Sequence, residues 1–232
     1  MPLLVTTSSR VDLTMTAHKT PDAPAPLTRK ERAGRTRARI LTAALAEFTA
    51  KGYHATTMAA IAAEAGVAVQ TVYFVFGTKP ALLQELLGVA VMGQSDDGLP
   101  VQRPEDSDWF REALESSDGR RALASFVHGS MPVYSRAAAV AETARVAAQT
   151  DPDVADVYAQ AEARRIEEFG RVIRALADHD ALRSDLTIAQ ATAVLATEFG
   201  PQSYLGYTAG HGWTDAALAE WMSDALARLL LR

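Results

Sequence analysis

The chain predicts an all-α fold. Alanine and leucine dominate its 232 residues, only 7% are aromatic, and no alternating run of Val, Ile and Thr marks a strand. Apolar residues recur at helical spacing along most of the length. Threonine, aspartate, proline and glycine stand where such helices would start and stop. With 48% hydrophobic residues, the chain can bury a substantial core in one or two domains.

Residues 1–27 are rich in Thr, Ser and Pro, with Pro21, Pro24 and Pro26 clustered. They offer little apolar surface and are expected to form a disordered or loosely attached arm. A first helix is predicted from about Thr28 to Lys51, with Ile40, Ala44, Leu45 and Phe48 inward and Gly52 as its stop. Thr57 caps a second helix in which Ile61, Ala62 and Ala65 share a face, and Gly66 supplies a tight turn. In the third helix Val69, Val72 and Phe76 recur at i, i+3 and i+7. The fourth, about 79–93, starts after Thr78 with Pro80 in its first turn, where a missing N–H is harmless. Its Leu82, Leu83, Leu86 and Leu87 link a head to a body.

Gly93 to Pro104 reads as a polar loop, and further helices are predicted near 105–117, 119–134, 136–149, 152–179, 187–209 and 214–231. Asp151-Pro152 gives a cap followed by Pro at the first helical position, Thr187 and Thr214 are caps, and Gly210-His211-Gly212 breaks the last two helices apart. Pro132 and Pro201 lie inside apolar helical patterns and are expected to kink or split them. There is no internal repeat and no heptad run long enough for a coiled coil.

The segment from Thr57 to Lys79 carries the functional signal. A helix, a glycine turn and a short second helix make a unit that can lie in the major groove of DNA. With Val69, Val72 and Phe76 inward, Gln70, Thr71, Tyr73 and Phe74 occupy the outer face. Gln can bond N6 and N7 of adenine, and Thr offers a hydroxyl plus a methyl suited to thymine. Tyr73 can reach a phosphate while its ring packs along the sugar. Phe74 would be an odd choice for a face that met only water. Thr57 stands at a helix N-terminus, which favours phosphate. Lys79 places a cation at a helix start, against the dipole, and so points to an external anion. A small helical subdomain with a partly exposed aromatic would explain any one of these residues, but not the set at this spacing.

Charge is uneven. The chain carries −5 in total, yet from Arg29 to Lys79 eight basic and three acidic residues give +5, leaving −10 for the remainder. A basic block inside an acidic protein suggests a polyanion-binding module on a body kept off the polyanion. Its position directly before the helix-turn-helix favours phosphate contacts from the Arg29–Arg39 stretch, Arg35 and Arg39 among them, over a merely solvated face. The absence of Cys excludes disulfides and cysteine-ligated zinc and fits a reducing cytoplasm. No stretch approaches 18 consecutive apolar residues and no secretory signal is visible, so neither a membrane span nor export is expected.

The run from Ile40 to Leu83 resembles the N-terminal DNA-binding domain of the TetR family of bacterial transcriptional regulators. The matching pieces are Ile40-Leu41, Ala44, Phe48, Gly52-Tyr53, Thr56-Thr57, Ile61-Ala62, Ala65-Gly66-Val67, Val72-Tyr73, Phe76, Lys79 and Leu82-Leu83. Beyond Leu87 the likeness is one of helical pattern. Two positions depart from it. Ala68 stands where the family often has Ser, which removes a helix cap or a phosphate contact. Val75 stands where His or Tyr is frequent, which removes one more donor to the DNA backbone.

The resemblance implies an inducer pocket in the C-terminal helices, without a motif that fixes its lining. The residues themselves suggest a set of aromatic and polar side chains in otherwise apolar helices: Trp109, Phe126, His128, Met131, Tyr134, Tyr158, Phe199 and Tyr204. Singly, each fits an ordinary core. The disturbances at Pro132 and Gly200-Pro201 favour a cavity. The resemblance also implies a four-helix dimer interface built from the last two helices and their symmetry mates. Wide apolar stripes there comprise Ile188, Ala191, Val194, Leu195 and Phe199, and Leu218, Trp221, Met222, Leu226 and Leu229. One short recognition helix makes few base contacts, whereas two heads about 34–36 Å apart reach successive major grooves of an inverted repeat.

Support for catalysis is weak. There is no nucleophile elbow, P-loop, dinucleotide fingerprint or zinc-protease motif. The five histidines (His18, His54, His128, His179 and His211) are scattered, and Asp178-His179-Asp180 fits a solvated turn better than a metal site. No cofactor or metal is implied. The expected organisation is an arm (1–27), a helix-turn-helix head (28–78) and a helical ligand-binding and dimerisation domain (79–232). The expected function is a cytoplasmic, homodimeric regulator, a repressor released from palindromic double-stranded operator DNA by a small molecule. The rivals are a constitutive, sequence-tolerant DNA binder without inducer, and a helical enzyme.

Overall fold

A computed structural model describes residues 28–95 and 99–232; the expected arm, 1–27, lies outside the described residues, as does the middle of the polar loop after Gly93. All regular structure within them is helical: α1 (Arg29–Lys51), α2 (Met58–Ala65), α3 (Val69–Phe76), α4 (Lys79–Met92), α5 (Asp108–Glu115), α6 (Gly119–Ala147), α7 (Pro152–Asp178), α8 (Ile188–Glu198), α9 (Pro201–Leu205) and α10 (Asp215–Leu230). A 3-10 turn at Pro104–Asp106 precedes α5, and a π turn at Gly206–Gly210 follows α9.

Threonine and aspartate caps hold these ends; those at Thr57, Thr78, Asp151, Thr187 and Thr214 are expected from the sequence, and the one at Thr28 is not. The Thr28 hydroxyl accepts from the Glu31 amide at 3.2 Å while Glu31 accepts from the Thr28 amide at 2.6 Å, a reciprocal box that satisfies two otherwise orphaned donors. Thr57, Thr78, Thr187 and Thr214 each accept from the amide three residues on, and Asp151 accepts from Asp153 and Val154. Gly66 closes α2 in the left-handed conformation, φ 63° and ψ 43°, which a residue with a Cβ adopts only at a cost.

Two element boundaries differ from expectation, and one expected break is present. Pro132 does not split its helix: α6 runs unbroken from Gly119 to Ala147. The proline sits on the exposed side, as does His128 four residues earlier, so the carbonyl that loses its helical donor can be hydrated. α6 packs against α4, α5, α7, α9 and α10, which keeps the helix continuous across the gap in its ladder. Pro201 does split its helix, with Gly200 extended before it and Pro201 opening α9. The segment 105–117 divides into the 3-10 turn and α5.

Two hydrophobic clusters organise the core. One joins the head to the body: Ile40, Leu41 and Phe48 of α1, Ile61 of α2, Val72 and Phe76 of α3 and Leu82, Leu83 and Leu86 of α4 continue into Ala137, Val140 and Ala144 of α6 and Val154 and Val157 of α7. The other fills the far end of the body around Phe110, Phe126, Phe169, Phe199, Leu195, Leu218 and Leu226. Among the described residues, no single helix is long and apolar enough to cross a membrane.

Candidate nucleic-acid interface

The outer face of α3 is built by its inner one. Val72 and Phe76 are buried and anchor a helix of only two turns, too short to be stable alone. That anchoring leaves Gln70, Tyr73 and Phe74 exposed and Thr71 half-buried. Phe74 is 91% exposed and Tyr73 52%, the two most solvent-facing large apolar side chains of the head. Keeping a phenylalanine in water forfeits roughly 1.5–3 kcal/mol of burial, so the pair marks a surface shaped for contact. The Ala68 cap of α3 makes no side-chain hydrogen bond, as its departure from the family pattern predicts.

Arg39 is put to a different use from the phosphate contact expected of it. Its guanidinium donates to the carbonyl of Ala65 and, at 3.0 Å, to that of Gly66. It thus satisfies orphan carbonyls at the end of α2 and fixes the turn from which α3 departs. Arg37 pairs with Glu85 on α4 and lies over the Phe76 ring, 5.1 Å from its centroid, so α1 holds the C-terminal end of α3 and, through Arg39, the turn that precedes it. Arg35 remains exposed beside them.

Lys79 is likewise drawn inward. Its ammonium donates to the carbonyls of Tyr53 and Thr56, both at 3.0 Å, and sits 4.1 Å from the centre of the Tyr53 ring. Two of its three N–H groups are therefore committed to tying the α1–α2 loop to α4. Burial lowers its pKa, opposed by the charge of Asp151. Thr56, buried, donates to the carbonyl of Gly52 at 2.9 Å and completes this knot. Gly52 as the stop of α1 and Thr57 as the cap of α2 signalled the loop in the sequence; its partnership with Lys79 had no local signal. Thr57, exposed at the start of α2, is spent on its own cap, accepting from Ala60 at 3.1 Å.

In the body the expected pocket residues divide. Phe126, Met131, Tyr134, Phe199 and Tyr204 come together in the far cluster. Phe126 meets Phe169 edge-on at 5.1 Å, Tyr134 meets Phe199 at 4.9 Å and stacks on Tyr204 at 5.8 Å. These rings fill their own space, so they form core and not the open chamber expected of them. Burial raises the Tyr134 pKa, and its hydroxyl donates to the Phe199 carbonyl at 2.8 Å, at the break between α8 and α9. Trp109 lies flat on α6 at Gly129, where an added Cβ would fall 2.1 Å from the indole, so only glycine admits it.

Two members of the set lie elsewhere. His128 points out of α6 toward Glu220, 3.6 Å away, in a surface groove of about 510 Å³ between α6 and α10. Tyr158 packs against the head-side cluster. Both follow from helical phase: on α6, Phe126, Ser130 and Tyr134 face inward, and His128 falls on the opposite side. The apolar stripes of α8 and α10 split in the same way. Ala191, Leu195, Phe199, Leu218, Met222 and Leu226 are buried, whereas Ile188, Trp221 and Leu229 are 42%, 44% and 41% exposed.

Comparison with known proteins agrees with this geometry. Residues 40–86 match the family described as bacterial regulatory proteins, tetR family. No curated protein matches the chain by sequence. Among solved structures, the fold is similar to NalD, the secondary repressor of the MexAB-OprM multidrug efflux pump in Pseudomonas aeruginosa, at 22% identity and a TM-score of 0.64, covering 88% of this chain and 99% of that one. It is similar to a candidate transcriptional regulator from Saccharomonospora viridis in complex with choline, at 20% identity and a TM-score of 0.64, over 84% and 97% of the two chains. It is also similar to the transcriptional regulator FadR from Bacillus subtilis in complex with stearoyl-CoA, at 17% identity and a TM-score of 0.64, over 82% and 96%. Residues 40–86 are thus a DNA-binding domain of the TetR family, carried on the all-helical fold of these transcriptional regulators.

Proposed function

We propose that the protein is a ligand-responsive repressor that binds a palindromic operator as a homodimer and is released by a small molecule. The observation that carries the DNA-binding part is the exposed Gln70, Tyr73 and Phe74 face, with Thr71 beside it, on a two-turn helix held by Arg37 at its C-terminal end and preceded by a turn that Arg39 fixes. Such a face is preorganised for a groove, and its side chains suit adenine edges and thymine methyl groups. Arg35 and the Thr57 end of α2 adjoin it for phosphate contact. The exposed parts of the α8 and α10 stripes, Ile188, Trp221 and Leu229, support pairing with a second copy.

Release by a ligand requires that the body prefer a different head arrangement when occupied, because only differential affinity shifts a population. Three features support such coupling. Phe199 and Tyr204 flank the helix break at Gly200, so the ring cluster borders a discontinuity in the backbone. The core cluster of the head continues into α6 and α7. His54 of the α1–α2 loop contacts Thr150 in the α6–α7 turn at 2.9 Å. Relatives of the same fold that hold choline or stearoyl-CoA favour a small molecule in the body over a constitutive DNA binder.

The test is selection of duplexes from random DNA by the purified protein, followed by binding isotherms with and without compounds that raise its melting temperature. An enriched inverted repeat, bound two protomers to a duplex and weakened by a stabilising compound, is expected. Failure to enrich any sequence would refute operator recognition; an isotherm indifferent to every stabilising compound would refute induction.

A further inference from the structure

Among the described residues only two helices, α6 and α7, place buried side chains in both hydrophobic clusters. The head-side cluster takes Ala137, Val140, Ala144 and Ala147 of α6, and the far cluster takes Ala122, Leu123, Phe126, Val127 and Met131. Apart from Tyr134 and Ala138, which reach back into the far cluster, the changeover falls at Pro132, near the middle of a helix of 29 residues. On α7 it falls between Val157 and Phe169, and no side chain from Tyr158 to Glu168 is fully buried.

α6 is weakest at this same level. Pro132 has no N–H to give the His128 carbonyl, so the ladder lacks a bond there. Two residues earlier, the buried Ser130 hydroxyl donates to the Phe126 carbonyl at 2.7 Å, a back-bond that competes with the ladder and favours bending. Gly129 comes before it, bare so that Trp109 can approach. Glycine–serine pairs and prolines are the usual sites of helix kinks, and here both stand within one turn.

The two halves of α6 are tied to different neighbours. Before the proline, Ser125 donates to the Trp109 carbonyl at 3.1 Å, and Arg120 and His128 face Asp224 and Glu220 of α10 at 3.7 and 3.6 Å. After it, Arg136 donates to the carbonyls of Ala90 and Val91 at 3.2 and 3.3 Å. These are orphan acceptors at the end of α4, and among the described residues the Gly93 amide makes no bond that closes that helix. The end of α4 therefore follows the second half of α6. On the same turn as Arg136, Tyr134 is held by the rings, its hydroxyl on the Phe199 carbonyl.

We propose that Gly129–Pro132 is a hinge between two bodies: the far end with α5, α8 and α10, and the head with α4 and the second half of α6. Displacing Tyr134 from the rings changes the hinge angle, and with it the position of the head relative to the exposed faces of α8 and α10. This rests on the operator-binding reading and supplies the moving part that release by a small molecule requires. Coupling between sites is reciprocal. If an occupant of the ring cluster acts on the head through the hinge, DNA on the head acts on the hinge.

That reciprocity makes a duplex recovered by the wild type from random DNA the probe, read by hydrogen exchange of the full chain. In the free wild type the amides of Val133, Tyr134 and Ser135 should exchange at least about tenfold faster than those of Val140 and Ala144. The duplex should slow them by about fivefold or more, the low end of coupling between distant sites. Pro132→Ala restores the missing N–H. It should melt about 4–10 °C above the wild type, protect these amides without DNA and gain little from it. Pro132→Gly restores the same N–H on a looser backbone, so its response to DNA should persist. Hinge amides that exchange no faster than the rest of α6, or that ignore a bound duplex, would overturn the proposal while leaving operator binding by α3 intact. A Pro132→Ala protein that melts no higher than the wild type, or that stays as responsive to DNA, would also overturn it. So would a Pro132→Gly protein as unresponsive as Pro132→Ala. If the wild type binds no duplex at all, the reading of α3 falls, and this one with it.

Discussion

Gly66→Ala tests the clamp that orients α3. Gly66 holds φ 63°, and for a residue with a Cβ that conformation costs roughly 1–2 kcal/mol. The added Cβ would also fall 2.8 Å from the Arg39 guanidinium, pushing away the side chain that satisfies the Ala65 and Gly66 carbonyls. Because Arg39 is exposed, its two hydrogen bonds are discounted to about 1 kcal/mol in all. The expected loss for Gly66→Ala is therefore about 2–3 kcal/mol, or roughly 5–10 °C in melting temperature for a chain of this size. Arg39→Ala alone should cost about 1 kcal/mol. If the methyl displaces the guanidinium, the double variant should be little worse than Gly66→Ala, so the two effects should fall short of additivity by about the value of the Arg39 bonds. Urea unfolding of the four proteins measures this, and operator affinity should fall with the clamp. A loss below about 0.5 kcal/mol for Gly66→Ala, or full additivity, would refute the assignment.

Phe74→Ala removes a side chain left almost wholly exposed by the described residues, so its melting temperature should stay put. Affinity for the selected duplex should drop about tenfold or more, with the loss concentrated at one base position; a stability loss of core size in calorimetry would contradict the exposed placement. Tyr134 is buried and its pKa is raised by that burial, so the folded state keeps the phenol proton where the unfolded chain releases it. Its contribution is present below about pH 10 and declines above it, by about 1.4 kcal/mol per pH unit at most. Tyr134→Phe should flatten the alkaline limb of a stability–pH profile, and an unchanged limb would argue against its burial. Ile188→Asp with Leu229→Asp places charge on exposed parts of α8 and α10; sedimentation should show monomers, with melting little changed at the single-protomer level and operator affinity reduced, whereas persistent dimers would move the interface elsewhere.

Local chemistry determined much of this molecule. The caps at Thr57, Thr78, Asp151, Thr187 and Thr214 needed only an oxygen placed two or three residues before an orphan amide, and all were readable from residue type and spacing. Gly66 was readable because few other residues tolerate its backbone, and the outer face of α3 because Val72 and Phe76 fixed which way the helix turns. Tertiary structure decided what depends on distant neighbours. Lys79 and Arg39 are cations in both readings, but the carbonyls they meet lie 23–27 residues away in sequence, and no local pattern reveals them. Pro132 kept its helix because α6 is packed against α4, α5, α7, α9 and α10 and turns that proline toward solvent. His128 left the aromatic set, and Phe126 and Tyr134 closed on their neighbours, because helical phase and ring packing, not residue type, decide whether an aromatic side chain lines a cavity or fills one.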